Sequence, residues 1–231
     1  MKIKEKLCSD VNDIGSVTIA FLGDSVTHGF FESSEDMHSG IDFEAVYHNV
    51  LRKRLNKKYK PMPVNIINAG IGGKNAAHGF GRIERDVICH SPDLCVVMFG
   101  LNDVNGTLEN YTGSLEKIFK RLHEAEIETI FMTPNMLNTY VDSSLSGGLH
   151  EYAEKTAEYQ TGGRMDAYVK AAAETAKKNG VTVCDCYKIW RAMYDGGCDT
   201  TALLANKINH PLRSMHALFA DELYKIINSA D

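Results

Sequence analysis

The block Gly23-Asp24-Ser25-Val26-Thr27-His28-Gly29 follows directly on the apolar run Val17–Leu22. A serine on a tight strand-to-loop turn exposes its hydroxyl and can aim its own backbone N–H into the same space. Such a hydroxyl is a weak nucleophile, needing a neighbouring base and a pocket that stabilises negative charge. A plain strand-ending turn uses the same residue types, so the block alone allows both readings. Asn68-Ala69-Gly70-Ile71-Gly72-Gly73 offers glycines whose backbone can approach a substrate and leave N–H groups free as oxyanion donors; a flexible turn is the alternative. Gly100-Leu101-Asn102-Asp103 carries a carboxamide able to donate to a developing oxyanion and an aspartate able to brace the next loop, or it is an ordinary Asn-Asp turn. Asn209-His210-Pro211 presents a histidine on a proline-restricted backbone. Its pKa range suits a general base, although one histidine among nine is equally compatible with a structural or solvated position.

Together, and in this order along nearly the whole chain, the four blocks resemble the SGNH hydrolases, also called the GDSL esterase/lipase family. The resemblance implies Ser25 as nucleophile and His210 as base. It implies an oxyanion hole made of the Ser25 and Gly73 backbone N–H groups and the Asn102 side-chain amide. It also implies a flavodoxin-like three-layer α/β/α sandwich. One position departs from the pattern: the family usually carries Asp three residues before the histidine, and here Lys207 stands there. A lysine cannot accept the imidazole N–H. In serine proteases, spoiling the orienting carboxylate costs up to about 10^4 in turnover. A backbone carbonyl, giving a Ser–His dyad, is the favoured replacement; Asp199 and Asn206 are alternatives, and an inactive chain is the remaining outcome.

The implied reaction is hydrolysis of a short acyl ester through an acyl-enzyme on Ser25. The Asn-His-Pro form of the last block resembles members that deacetylate carbohydrates, so an acetyl group on a sugar is the expected substrate. A lysophospholipase or thioesterase is the alternative within the class. Outside it stand a flavodoxin-like binding module cradling a phosphate or flavin at Gly23–Thr27, and a catalytically dead relative used for binding. No cofactor or metal is expected. His38, His48, His78, His90, His123 and His150 have no ligand spacing of the HExxH kind. His28 is expected to line the pocket, and His216 to pack or cap. Asp24 and Asp103 are read as braces rather than a glycosidase carboxylate pair. Trp190 is read as core or pocket wall.

The elements that must position these residues alternate along the chain. Val17–Leu22, Val64–Ala69, Leu94–Phe99, Glu128–Met132 and Val181–Cys184 read as strands, near-continuously apolar as in a parallel sheet covered on both faces. Helical spacing links Phe43, Val46, Tyr47, Val50 and Leu51, then Leu115, Ile118, Phe119 and Leu122; a last helix is expected from about Leu212 to Ile227. This alternation predicts a doubly wound, mostly parallel five-stranded sheet, with the chemistry beyond the strands' carboxyl ends. The interval Leu137–Gly163, containing Tyr140, Tyr152 and Tyr159, breaks the rhythm. It reads as a loop or lid that shapes the acceptor side, followed by a helix from about Arg164 to Lys178.

The 231 residues fit a single domain over 1–231. Hydrophobic and charged fractions of 44% and 24% exclude disordered and coiled-coil architectures. A formal net charge of −5 argues against a nucleic-acid partner; the partner that the resemblance implies is a small-molecule or oligosaccharide ester. The six cysteines form no paired framework, and no window reaches the roughly 18 apolar residues of a membrane span. Met1–Leu7 is basic without a long apolar stretch behind it, so a cytoplasmic enzyme is expected. Nothing in the sequence speaks to oligomeric state.

Overall fold

The computed structural model describes residues 2–33 and 40–229; His38 lies outside them. Its centre is a sheet of β1 (Val17–Gly23), β2 (Val64–Gly70), β3 (Leu94–Met98), β4 (Glu128–Met132) and β5 (Thr182–Cys184). All pairings are parallel, in the order β2-β1-β3-β4-β5. The helices are α1 (Lys2–Leu7), α2 (Val11–Ile14), α3 (Ser25–His28), α4 (Tyr47–Lys58), α5 (Ala76–Asp86), α6 (Leu108–Glu124), α7 (Gly147–Thr161), α8 (Arg164–Lys178), α9 (Cys186–Asp195) and α10 (Arg213–Asn228). α5, α6 and α8 pack side by side on one face of the sheet, and α1, α4 and α10 form the opposite layer. The result is a three-layer α/β/α sandwich. Among the described residues no helix is long and apolar enough to cross a membrane.

Burial follows strand position. The central β3, Leu-Cys-Val-Val-Met, is buried at every residue, because helices cover both of its faces. β2 is an edge, and its Asn65 and Asn68 reach solvent while Val64 and Ala69 stay inside. In α6 the stripe Tyr111, Leu115, Ile118, Phe119 and Leu122 is buried, each such side chain contributing about 1.5–3 kcal/mol. Thr107 starts that helix, its hydroxyl accepting from the Asn110 N–H at 3.2 Å.

Strand order also fixes where a site can form. The chain steps from β1 outward to β2, then returns across β1 to β3 and continues the other way. The reversal opens a crevice beyond the carboxyl ends of β1 and β3, the topological switch point of such sheets.

Two expectations need correction. Apolar spacing suggested a helix from Phe43, but α4 begins at Tyr47. Asp42 accepts the Glu44 and Ala45 N–H groups at 3.0 and 3.1 Å, closing a turn that leaves Phe43 56% exposed. The interval Leu137–Gly163 is not a loop throughout, since more than half of it is α7. The buried face of α7 is Ala153, Thr156 and Gln160, too polar to produce an apolar period. Its polar groups are matched: the Thr156 hydroxyl donates to Asn138 Oδ1 at 2.6 Å, and Gln160 Oε1 accepts the Leu137 N–H at 2.9 Å.

Candidate active site

The turn after β1 is held from several sides. Asp24 caps α3 by accepting the Val26 N–H at 3.0 Å, which makes Ser25 the first residue of a single helical turn. Gly70, at the end of β2, lies against this turn; a Cβ there would come within 2.2 Å of the His28 nitrogen, so no larger residue fits. From α5, the buried Arg82 guanidinium donates to the Gly23 carbonyl at 2.9 Å and the Ala69 carbonyl at 2.6 Å. It thereby clamps the last residues of both strands, and Asp86 at 2.8 Å balances its charge.

His210 comes from the segment before α10. Asn206 Oδ1 accepts the backbone N–H groups of Ile208, Asn209 and His210 at 3.0, 2.9 and 2.9 Å, winding this segment tightly. The imidazole Nε2 lies 2.9 Å from Ser25 Oγ, and Nδ1 lies 3.1 Å from the Phe31 carbonyl oxygen. A carbonyl can only accept, so Nδ1 carries the proton and the Nε2 lone pair faces the serine hydroxyl. Burial, opposed by this hydrogen bond and by the Glu32 charge, lowers the His210 pKa from 6.5 to about 4. The ring is therefore neutral at neutral pH and able to accept a proton.

Neither side chain offered as an orienting group faces the ring. Asp199 accepts the Tyr140 hydroxyl at 2.8 Å and the Ala202 N–H at 3.0 Å. Asn206 Oδ1, its only side-chain acceptor, takes the three backbone N–H groups described above, and its Nδ2 donates to Asn209 Oδ1 at 2.9 Å. Lys207 has a left-handed backbone (φ 58°) and reaches back to the Ala202 carbonyl at 3.3 Å.

Gly73 also has positive φ (71°), a backbone conformation glycine adopts without strain. Neither its N–H nor the Ser25 N–H has a hydrogen-bond partner among the described residues. The Asn102 amide donates to the Lys74 carbonyl at 3.0 Å, and Asp103 accepts the Ala76 N–H at 2.9 Å. These two bonds tie the glycine loop to the loop after β3. Burial pushes the Asp24 and Asp103 carboxyls up to about 7 and about 6, their mutual repulsion adding to the shift at Asp24. Both hold backbone N–H groups rather than facing a substrate space as a pair.

Ser25, Gly73, Asn102 and His210 line one cleft of about 610 Å³, walled by Phe30, Ile71, Leu149, Tyr152 and Ile208. His28 is also on its rim, with Nδ1 3.4 Å from the Gly72 nitrogen. His216 is buried against α4, accepting the Tyr47 N–H at 3.1 Å, and Trp190 is core rather than pocket wall. A phosphate- or flavin-binding module gives Asn102 and His210 no reason to approach Ser25, yet both share its cleft. No group of three His, Cys, Asp or Glu residues among those described could hold a metal. Sequence reasoning missed Arg82, whose pattern is that of any surface helix, and did not identify Phe31, since a backbone acceptor has no residue signature.

A family match on this fold, with its cleft at the carboxyl edge of a parallel sheet, makes the chain a carboxylic ester hydrolase. The sequence matches the GDSL-like Lipase/Acylhydrolase family over residues 21–218, and the chain belongs to that family. An acetyl xylan esterase of known structure is 21% identical, with 91% of this chain and 99% of that chain covered and a TM-score of 0.67. A lipase/acylhydrolase from Enterococcus faecalis is 24% identical, with coverages of 91% and 95% and a TM-score of 0.67. An acetylxylan esterase from Geobacillus stearothermophilus is 19% identical, with coverages of 93% and 95% and a TM-score of 0.69. At these identities the likeness is one of fold. No curated protein matches the chain.

Proposed function

We propose that this chain is a serine esterase that removes short acyl groups, acetyl first among them, from a carbohydrate. The observation that carries the reading is the 2.9 Å approach of His210 Nε2 to Ser25 Oγ, with Nδ1 on a carbonyl that fixes the tautomer. In the first half-reaction His210 takes the Ser25 proton as the serine oxygen attacks the ester carbonyl carbon. The Ser25 and Gly73 N–H groups and the Asn102 amide receive the oxyanion, each such donor being worth about 10²–10³ in kcat. His210 then gives its proton to the leaving alcohol. Water, activated by the same imidazole, releases the acid from the acyl-enzyme and restores the serine.

Support for the carbohydrate comes from two directions. Two of the structural neighbours are acetylxylan esterases by name. The cleft wall carries Phe30 and Tyr152, flat faces on which a sugar ring can stack. Ile71, Leu149 and Ile208 in the same wall favour a second reading, a lysophospholipase or thioesterase with a longer acyl chain. The test is a panel of p-nitrophenyl acetate, butyrate and octanoate beside acetylated xylo-oligosaccharides, assayed with the wild type and Ser25→Ala. Acetate preference, activity on the oligosaccharides and an inert Ser25→Ala variant are expected. Full activity in that variant refutes the nucleophile, and octanoate preference refutes the acyl length.

A further inference from the structure

The carbonyl that faces His210 belongs to Phe31, and its direction depends on how residues 29–32 and 40–42 are held together. Phe30 bridges Ile41 in antiparallel fashion, the Phe31 N–H donates to the Gly40 carbonyl at 2.7 Å, and the Asp42 N–H donates to the Gly29 carbonyl at 2.9 Å. One side chain spans both arms of this small hairpin. Arg213, three residues beyond His210, forms a two-pronged pair with the Glu32 carboxylate and donates its Nε–H to Asp42 Oδ2 at 2.9 Å. Its guanidinium also lies 4.4 Å from the centre of the Phe31 ring. The ring of the buried His216 also packs near Phe31, 4.7 Å between centroids.

We propose that Arg213 is a positioning residue for the hydrolytic reaction: by clamping Glu32, Asp42 and the Phe31 ring, it aims the Phe31 carbonyl at His210 Nδ1. It thus does indirectly what the missing carboxylate at position 207 would do directly. The inference rests on the Ser25–His210 reading above. A single exposed ion pair contributes little stability, but stability is not what this arrangement supplies. A planar guanidinium that meets one carboxylate with two N–H groups and a second with Nε–H fixes angles as well as distances. Arg213 and His210 lie on the same short segment, so the clamp registers the hairpin against the imidazole itself. Lysine, with one point charge and no plane, can serve only one arm at a time.

The experiment compares Arg213→Met, Arg213→Lys and Glu32→Gln with the wild type and Ser25→Ala. The readouts are kcat and KM for p-nitrophenyl acetate and the His210 tautomer by ¹⁵N-histidine NMR. Arg213→Met is expected to lower kcat by about 10²-fold, as expected when a reacting group shifts by an ångström, with KM little changed. Its His210 should leave the Nδ1–H form for a tautomer mixture. Arg213→Lys should recover part of the loss, and Glu32→Gln should lose less than Arg213→Met. Wild-type kcat and tautomer in Arg213→Met overturn the clamp, as does a lower kcat with the tautomer unmoved. If Arg213→Met fails to fold, Glu32→Gln decides alone, and an unchanged kcat and tautomer there overturn it. An active Ser25→Ala variant instead refutes the nucleophile, a result separate from the tautomer measurement.

Discussion

The acid limb of the pH profile tests the site most directly. A general base works only unprotonated, so kcat/KM falls as pH drops through the free-enzyme pKa of His210. Burial lowers that pKa from the ordinary 6.5 to about 4. At about pH 5.5 an imidazole with a pKa of 4 is about 97% neutral, whereas one at 6.5 is about 10% neutral. The expected profile is therefore flat within about twofold between about pH 5.5 and 7.5, against a drop of roughly tenfold for an unperturbed histidine. The assay is pH-stat titration of acetate release, with the enzyme moved from neutral buffer into each acidic solution just before measurement. A limb at about 6.5 refutes the argument that desolvation governs this ring. Burial also raises Asp24, which caps the Ser25 turn, to about 7 and Asp103, which supports the oxyanion-side loops, to about 6, so Asp24→Asn and Asp103→Asn are the controls. A limb that vanishes in either variant belongs to that carboxyl, not to the imidazole.

Other consequences are equally measurable. Asn102→Ala should lower kcat by about 10²–10³ with KM nearly unchanged, because the lost donor acts on charge that develops only during reaction. A drop confined to KM would show that the amide binds ground-state substrate. Arg82→Met leaves the Gly23 and Ala69 carbonyls without the buried donor they share, at a cost of about 2–4 kcal/mol, read from urea unfolding; an unchanged midpoint would mean the clamp holds nothing. Lys207→Asp restores the family's usual residue, yet Nδ1 is already matched by the Phe31 carbonyl. Its kcat should therefore stay close to the wild type; a large gain would reveal poor orientation in the native chain.

Much of the architecture is legible because strand-length apolar runs end in glycine-containing turns. Glu128–Met132 is read to the residue, and the other strands differ from their apolar runs by a residue at one end. Those runs place the serine, glycine and Asn-Asp blocks at one sheet edge, but it is the resemblance to the GDSL family that names Ser25, Gly73, Asn102 and His210 as neighbours despite their distance along the chain. Failures have a common cause. α7 hides because its buried positions are Thr156 and Gln160, which are satisfied by specific partners rather than by hydrophobicity. Phe43 misleads because an apolar residue at helical spacing is held outside the helix by the Asp42 turn. Arg82 and Arg213 carry ordinary surface-helix signatures, and only tertiary packing turns them toward backbone carbonyls or paired carboxylates.

An acceptor supplied by the main chain has an unusual place in heredity. No point mutation can delete the oxygen of residue 31, because every amino acid encodes one. Alanine scanning passes over it, and a profile keyed to an acidic codon three positions before the histidine would score this gene as defective. What mutation can alter is the path of the polypeptide around it. Insertions and deletions near the hairpin, and replacements of the clamp residues Arg213 and Glu32 rather than of Phe31 itself, are thus the changes against which natural selection must guard this function.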